Sequence, residues 1–362
     1  MSDTTSPTVA VVVLNWNGLN HLKTYLPSVL ATTPAWAEVW VADNGSTDGS
    51  LEWVRDSHGS RVRTLALGEN FGFAEGYNRA LTQVNADVFV LLNSDVRTDG
   101  PWLEPVLAVM EREGWDVASP RMVQDVNPSV CEHAGAAGGW MDVDGYPFCL
   151  GRLFDSVEEV DGWHRMDREV FWASGACFFI RKAAWVAAGG FDGSLFAHME
   201  EIDLCWRLKN RGYRIGVCGS SVVYHLGGGT LQKISPFKSY LNFRNNLYLL
   251  VKNHHRKPLY PMLLRRMVLD GIAAIKFLSE GSTPLFGAVW KAHRDFRVQF
   301  KTMKKKRQLE LKSIRSATGA GPCKPLNYAG WYQGSILLAY FLRRKHVFEE
   351  LSSRHFLKST LK

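Results

Sequence analysis

Short apolar runs that alternate with amphipathic stretches constrain the fold of this 362-residue chain more than any other feature. Four runs, rich in apolar and β-branched residues and bounded by turn residues, are VAVVVLNW (9–16), EVWVADN (38–44), RVRTLAL (61–67) and DVFVLLNS (87–94). Such runs are typical of buried strands, whereas the segments between them have helical character. The alternation predicts an α/β fold on a parallel, doubly wound sheet.

Polar residues follow these strands at the points where a doubly wound sheet binds its ligands. They are Asn15 after the first strand, Asp43, Asn44 and Ser46 after the second, and Asn93 and Asp95 after the fourth. Asp43 is placed to accept hydrogen bonds from a nucleoside base or ribose, although a turn that caps the next helix explains its segment equally well. Asn70, Gly72 and Asn78 surround a later helix start, and a helix N-terminus suits a phosphate.

Asp95 and His225 are the candidate ligands of a divalent cation. Asp95 directly follows a buried apolar strand, so its carboxylate is expected in the ligand crevice. A cation bound to a diphosphate needs one or two carboxylates besides the phosphates. His225 ends the run SVVYH and could add a neutral imidazole. The alternatives are a loop aspartate that caps a turn and a structural histidine.

Charge divides the chain into two parts. Residues 1–234 hold 18 Lys+Arg and 29 Asp+Glu, a net −11, while residues 235–362 hold 25 and 6, a net +19. A basic surface attracts phosphate-rich partners, either nucleic acid or anionic lipid. The longest uncharged stretch, 325–342, is too polar to span a membrane but could form an interfacial helix. A homodimer interface is the other interpretation of the basic helices.

Five motifs and a later histidine closely resemble the inverting glycosyltransferases of family 2, in their rhamnosyltransferase-like branch. The motifs, in order, are VVVLNWNG, VADNGSTDGS, NFGFAEGYN, LLNSDV and GGFDGSLFAHMEEIDLCWRL. The resemblance covers residues 8–230 and implies a GT-A type nucleotide-binding sheet. It divides the chain into a glycosyltransferase domain at 1–234, with a nucleotide-sugar part at 8–124 and an acceptor part at 125–234, followed by a helical basic extension at 235–362.

The resemblance also implies roles for individual residues. Asp43 stands where the nucleoside is bound, Asp95 where an aspartate binds metal and diphosphate, and His225 where a histidine completes the metal site in some members. Glu201 stands at the catalytic base, a position usually held by Asp, and Asn93 replaces the first acid of the metal-binding motif. The expected donor-binding set is Asn15, Asp43, Asn44, Ser46, Asn70, Gly72, Asn78, Asn93 and Asp95.

The run EEID (200–203) contains three carboxylates at the start of a predicted helix. Glu200 and Asp203 are three residues apart and share a face, while Glu201 is turned about 100° from Glu200. Glu200 and Asp203 are then acids of a helix start, and Asp203 can pair with Arg207. Together with Trp172 and Gly175, they are expected on the acceptor side or as supporting residues.

The predicted function is transfer of a sugar from a nucleoside diphosphate-sugar to an acceptor hydroxyl, with Mg²⁺ or Mn²⁺ as the cofactor. The acceptor would be a glycan or a lipid-linked sugar in polysaccharide or glycolipid assembly. No export signal is visible, which predicts a cytoplasmic protein, peripheral at the inner face of the membrane. The alternative is a non-catalytic nucleotide fold whose basic run KTMKKKRQ (301–308) binds nucleic acid; nucleic acid is the less expected partner.

Overall fold

The computed structural model describes residues 7–132, 136–227, 235–255, 258–318 and 327–357. Its helices are α1 (Leu19–Thr32), α2 (Ser50–His58), α3 (Gly72–Leu81), α4 (Leu103–Glu113), α5 (Lys182–Ala188), α6 (Glu200–Asn210), α7 (Pro236–Asn253), α8 (Leu259–Ser279) and α9 (Thr283–Thr318). Its strands are β1 (Val9–Asn15), β2 (Glu38–Asp43), β3 (Arg63–Ala66), β4 (Val88–Asn93), β5 (Val96–Thr98), β6 (Val117–Gln124), β7 (Gly139–Asp142), β8 (Pro147–Cys149), β9 (Arg152–Leu153), β10 (Ser156–Val157), β11 (Arg168–Glu169), β12 (Cys177–Arg181), β13 (Ile215–His225) and β14 (Trp331–Tyr332).

The main sheet has the strand order β11-β13-β6-β12-β4-β1-β2-β3, and β5 pairs with β13. Strands β1 to β4 are parallel to one another, as the alternation of strands and helices predicts. The sheet as a whole is mixed, because β12 runs antiparallel to both β4 and β6. The reversed strand, β12, therefore lies next to β4, the strand that precedes Asp95.

Helices cover both faces of this sheet, as predicted. In β1, Ala10 and Val12 join the core on one face, whereas Val9, Val11 and Val13 join the core on the other. Neighbouring residues of a strand point to opposite faces, so a strand that is apolar throughout is buried on both sides.

A smaller sheet, with the order β10-β9-β8-β7-β14, is built from residues 139–157 and a strand from near the C-terminus. Trp331 and Tyr332 of β14 pair with β7 and are buried, as are Ile336 and Tyr340. The expected interfacial helix over 325–342 is wrong in its extent, because Trp331 and Tyr332 form a strand and only the short helical segment Leu338–Leu342 follows. Leu338, Phe341 and Leu342 of that segment are exposed. Residues 325 and 326 lie outside the described part. Residues 215–225 form one strand with a bulge between Cys218 and Val222.

The helical C-terminal region begins at α7, as predicted. Ser235 caps it by accepting a hydrogen bond from the backbone N–H of Lys238 (3.1 Å), and Pro236 occupies the first turn, where no donor is lost. Its side chains enter the same core as those of the sheet, including Leu247 and Leu250. The division of the chain at residue 234 stays a prediction. Among the described helices, none has the length and apolar character to cross a membrane.

Candidate active site

Strand pairing places the ends of β1, β2 and β4 side by side. Asn15 pairs with Asp43, and Leu14 pairs with Asn93. The Asn15 amide Nδ2 donates to Asp43 Oδ1 (3.2 Å), Ser46 Oγ (3.2 Å) and Ser50 Oγ. The sheet thus brings together the polar residues that follow the first, second and fourth predicted strands.

The Asp43 turn is held in one conformation by its own side chains. Asp43 Oδ2 accepts from the backbone N–H of Ser46 (2.9 Å), and Asp48 Oδ2 accepts from the backbone N–H of Leu19 at the start of α1 (2.8 Å). Gly45 has φ 77°, and a Cβ atom there would lie 2.6 Å from the backbone of Glu69. Only glycine fits this close approach, which fixes Asp43 at the crevice.

Asn44 and Asn70 organise the loop that leads into α3. Asn44 Nδ2 donates to Asn70 Oδ1 (3.1 Å) and to the carbonyl of Gly72 (3.1 Å). The first N–H groups of α3 are already used, since Gly72 donates to Asn70 Oδ1 (2.9 Å) and Phe73 to the carbonyl of Phe196 (2.9 Å). The expectation that this helix N-terminus receives a phosphate stays a prediction.

Asn78 lies on α3 and connects it to a distant turn. Its Nδ2 donates to the carbonyl of Phe191 (3.0 Å), and its Oδ1 accepts from the backbone N–H of the same residue (2.9 Å). Both ends of the Asn78 amide are thus engaged within the protein, and its contact with the donor stays a prediction. Its role is to hold the turn before α6.

Asp95 and His225 lie together, as the sequence predicted, and Glu132 joins them. The His225 Nε2 lies 3.1 Å from Asp95 Oδ1, and its Nδ1 lies 3.3 Å from Glu132 Oε2. All three side chains are buried. Although burial opposes it, contact with Asp95 and Glu132 raises the pKa of His225 to about 10, and despite burial the same contact lowers the pKa of Asp95. Sequence reasoning missed Glu132, because no spacing relates it to either partner.

Glu201 lies in the first turn of α6, directly after a strained segment. Phe196, His198 and Met199 have φ values of 65°, 66° and 73°, in the left-handed region that side chains rarely adopt. Asn245 on α7 supports this segment by donating to the carbonyls of Leu195, Ala197 and His198. Three such residues within four positions cost free energy of order 1–3 kcal/mol each, and strain of this kind clusters at functional sites.

Gly175 connects Glu201 to the end of β4. A Cβ atom on Gly175 would lie 3.4 Å from Cβ and Cγ of Glu201, so the two residues are in contact. The next residue, Ala176, accepts a hydrogen bond from the backbone N–H of Asn93 (2.9 Å). The antiparallel strand β12 therefore brings Glu201 to the edge of the sheet from which Asp95 emerges.

The carboxylates of the run EEID occupy different environments. Glu201 is half-buried, and burial raises its pKa to about 7. Glu200 is buried, its Oε2 has no hydrogen-bond partner among the described residues, and burial together with Glu201 raises its pKa well above the usual range. Glu200 is an acid of the first turn of α6, as predicted, but its side chain is buried.

Asp203 is also buried, but as a charged group. It pairs with Arg207 (2.9 Å), as the i to i+4 spacing predicts, and with Lys252 on α7 (2.9 Å). These cations lower its pKa despite burial. Trp172 is buried with its indole N–H on the carbonyl of Trp140 (2.9 Å), so its place is in the core. The place of Asp203 and Trp172 among the acceptor-side or supporting residues stays a prediction.

The described part of the chain contains no cluster of three or more side chains in a metal-binding arrangement. Two ligand atoms do lie at a suitable separation, since adjacent corners of an octahedron with bonds of about 2.1 Å are about 3.0 Å apart. His225 Nε2 and Asp95 Oδ1 are separated by 3.1 Å. The same distance is that of the hydrogen bond between the two side chains, and their assignment as metal ligands stays a prediction.

Residues 10–184 match the profile of the family described as Glycosyl transferase family 2, and this range holds the strand exits from Asn15 to Asp95. These residues form a glycosyltransferase family 2 domain. The resemblance noted in the sequence is thereby confirmed, and with it the activity of the chain as a glycosyltransferase. The matched range ends before α6, so the role of Glu201 stays a prediction.

This glycosyltransferase is 27% identical over 236 residues to the N-acetylglucosaminyl-diphospho-decaprenol L-rhamnosyltransferase of Mycobacterium tuberculosis, covering 61% of this chain and 76% of that protein. Its fold is similar to that of the mannosyltransferase PcManGT from Pyrobaculum calidifontis in complex with GDP-Man and Mn²⁺ (TM-score 0.50, 15% identity, 86% of each chain). It is also similar to GalNAc-T7 with UDP, GalNAc and Mn²⁺ (TM-score 0.53, 16% identity, 90% of this chain and 60% of that one). The predicted GT-A fold is confirmed.

The alternative of a nucleic-acid-binding tail is not favoured. The basic run 301–308 lies within α9, and two of its cations are used inside the protein. Lys306 pairs with Asp192 (2.5 Å), and Arg307 donates to the carbonyls of Val251 (2.9 Å) and His254 (2.7 Å). These contacts attach α9 to Asp192 in the turn before α6 and to the end of α7.

Proposed function

We propose that this glycosyltransferase moves a sugar from a nucleoside diphosphate-sugar to an acceptor hydroxyl, with inversion and with Glu201 as the general base. The observation that carries the proposal is the contact between Glu201 and Gly175, because it brings a carboxylate of raised pKa beside the end of β4. A base whose pKa lies near the working pH is well suited to proton transfer and contributes about 10²–10⁴-fold.

In the proposed reaction Glu201 takes the proton of the acceptor hydroxyl. The acceptor oxygen forms a bond to the anomeric carbon as the bond from that carbon to the diphosphate oxygen breaks. The pair of electrons of the broken bond leaves with the nucleoside diphosphate. A single displacement of this kind inverts the anomeric configuration. Asp43 would hold the nucleoside, supported by Asn15 and Ser46, while Asn44 and Asn70 shape the neighbouring loop.

Asp95 and His225 would hold a divalent cation, which would neutralise the negative charge of the leaving diphosphate. Mn²⁺ is present in two proteins of similar fold, which supports this assignment in general terms. His225 must lose its proton to bind a metal, so binding would release a proton. Glu132 would then orient the imidazole through its other nitrogen, as carboxylates do for many metal-bound histidines. Asn93 offers an amide oxygen where a second carboxylate is absent.

The acceptor is proposed to be a lipid-linked sugar. The Mycobacterium tuberculosis relative is named for an acceptor that is a sugar on a diphospho-decaprenol lipid. An acceptor of this class lies in a membrane, so the enzyme would work at a membrane surface as a peripheral protein. Incorporation of the sugar into a polysaccharide or glycolipid follows from the same proposal.

The test is a screen of nucleoside diphosphate-sugars with Mg²⁺ or Mn²⁺, using the release of nucleoside diphosphate and thermal shift as readouts. One donor should raise the melting temperature and be consumed when a diphospho-lipid acceptor is added. The anomeric configuration of the product, read by NMR, should be opposite to that of the donor. Retention of configuration would contradict the role of Glu201, and a failure of every donor to bind would contradict the donor class.

A further inference from the structure

The helix α8 presents an apolar face to solvent. Its large apolar side chains follow one another at intervals of three or four residues and are between 47% and 67% exposed: Tyr260, Leu264, Val268, Ile272, Ile275 and Leu278. Intervals of three and four residues place side chains on one face of a helix. A contiguous apolar surface of this kind indicates a binding site for another molecule or for a membrane.

The opposite face of α8 is fixed to the protein by buried polar contacts. Arg266 pairs with Asp270 (2.7 Å), and Asp270 also receives the hydroxyl of Tyr146 and contacts His293 of α9, both at 3.1 Å. The guanidinium of Arg266 lies 3.6 Å from the centre of the Tyr146 ring. These partners fix the rotation of α8 about its axis, so its apolar face must point outward.

A basic row on α9 borders this face. Helix α9 returns along α8 after a short turn and carries ten Lys+Arg against two Asp+Glu. The Nζ of Lys304 lies 3.3 Å from the hydroxyl of Tyr260, at the first turn of the apolar face. Arg297 and Lys301 precede Lys304 by seven and three residues on the same side of α9 and are exposed, as is Trp290.

We infer that this surface of α8 and α9, the α8–α9 face, docks on an anionic lipid bilayer. An amphipathic helix buries its apolar side among the acyl chains near the headgroups, while flanking Lys and Arg reach the phosphates. Each basic residue near an anionic membrane contributes about 1 kcal/mol. A second copy of the chain is a poorer occupant, because it would bring two like-charged basic rows together.

Docking would bring the catalytic part to the surface that holds its acceptor, a consequence that rests on the proposed lipid-linked substrate. Helix α7 connects the docked helix α8 to the segment that precedes Glu201. Asn246 of α7 accepts from Arg266 of the docked helix, and the adjacent Asn245 holds the strained segment before Glu201. The docking itself depends only on the apolar and basic side chains, so it can be tested without any donor or acceptor.

The test is co-sedimentation of the full chain with vesicles of phosphatidylcholine alone or of phosphatidylcholine and phosphatidylglycerol. The wild type should bind only the anionic vesicles, and the bound fraction should fall as salt is raised, because salt screens the charges. A variant with Leu264→Gln, Val268→Gln, Ile272→Gln and Ile275→Gln should bind at least tenfold more weakly. Arg297→Glu with Lys301→Glu should weaken binding at low salt.

The matched control carries Val126→Gln and Val186→Gln, which replace apolar residues that are 77% and 66% exposed outside α8 and α9. It should bind like the wild type. No binding of the wild type to anionic vesicles, or equal binding by the four-residue variant, would overturn the inference. It would also be overturned if that variant changed a dimer into a monomer without losing vesicle binding. Donor binding in lipid-free solution tests the proposed function separately.

Discussion

The Nζ of Lys252 on α7 lies 2.9 Å from Oδ1 of Asp203 on α6, the helix that carries Glu201. Both side chains are buried, and the neighbouring Asn253 donates to the same Asp203 oxygen (2.8 Å). Lys252 also pairs with Asp192, which lies in the turn before α6. The basic C-terminal region therefore takes part in positioning the predicted base and is not merely attached to the catalytic part.

Replacing Lys252 by Met should destabilise the fold. The change leaves the buried Asp203 and the half-buried Asp192 without a shared cation, and removing one partner of a buried ion pair costs about 3–5 kcal/mol. Urea unfolding should show this loss as a lower midpoint. The control is Lys312→Met, because Lys312 is exposed on α9.

A double variant tests whether the pair itself is responsible. Adding Asp203→Asn to Lys252→Met removes one of the unpaired charges, so the double variant should lose less than the sum of the single changes. Strict additivity of the two free-energy changes would show that Lys252 and Asp203 do not act on one another.

Glu201→Gln should lower kcat by about 10²-fold or more while donor binding stays nearly unchanged, because the amide keeps the size of the side chain but cannot take a proton. Glu201→Asp should retain part of the activity. The measurement is steady-state kinetics together with donor-induced thermal shift. Asp203→Asn serves as the comparison, and its effect should follow the loss of stability. Near-normal kcat in Glu201→Gln beside an inactive but folded Asp203→Asn would move the base to Asp203.

The same carboxylate should set the pH dependence of the reaction. Burial raises the pKa of Glu201 to about 7, and only the ionised form accepts a proton. The value of kcat/KM should therefore rise with pH through about 7 and fall on the acidic side. In Glu201→Gln the rise of kcat/KM with pH through about 7 should be absent from the residual activity. If the rise persists in that variant, it belongs to another group.

Asn93→Asp should strengthen metal binding, since it restores a carboxylate next to Asp95 at the end of β4. His225→Ala should weaken it, and Glu132→Gln should weaken it by about 10–100-fold through the orientation of the imidazole. Mn²⁺ binding to the protein with nucleoside diphosphate, followed by electron paramagnetic resonance, measures each change. Asp125→Asn is the control, because Asp125 is engaged with Arg97 and Tyr25 outside the cluster. Unchanged Mn²⁺ affinity in His225→Ala would remove His225 from the site.

The sequence predicted the elements whose cause is local. The strand at Val9–Asn15, the helix at Leu19–Thr32 and the pair Asp203–Arg207 follow from periodicity and spacing within one segment. The adjacency of Asp95 and His225 also agreed, but it came from two strand ends and a resemblance rather than from spacing alone.

What could not be predicted depends on contacts between distant segments. The position of Glu132 beside His225, the use of the α3 N–H groups by Phe196 and the reversed direction of β12 have no signature in a single stretch of sequence. The extent of the helix in the run 325–342 was misjudged for the same reason, because Trp331 and Tyr332 pair with β7, which lies 190 residues earlier in the chain. The burial of Glu200 could not be predicted either, because it arises from distant segments that pack around it.

Glu200 leads to a final prediction, about stability and pH. Its pKa is raised well above the ordinary value of 4.5 by burial and by Glu201, so the folded state keeps the proton after the unfolded chain has lost it. The associated stability is fully present below about pH 4.5 and is lost as pH rises toward the pKa of the folded state, by up to about 1.4 kcal/mol per pH unit. Glu200→Gln removes this ionisation. The free energy of unfolding of the variant, relative to wild type, should therefore increase between pH 5 and pH 8, whereas the exposed Glu104→Gln should show no such trend. A difference that stays constant across this range would mean that Glu200 is ionised in the folded protein, which would require a cation or donor beside its Oε2.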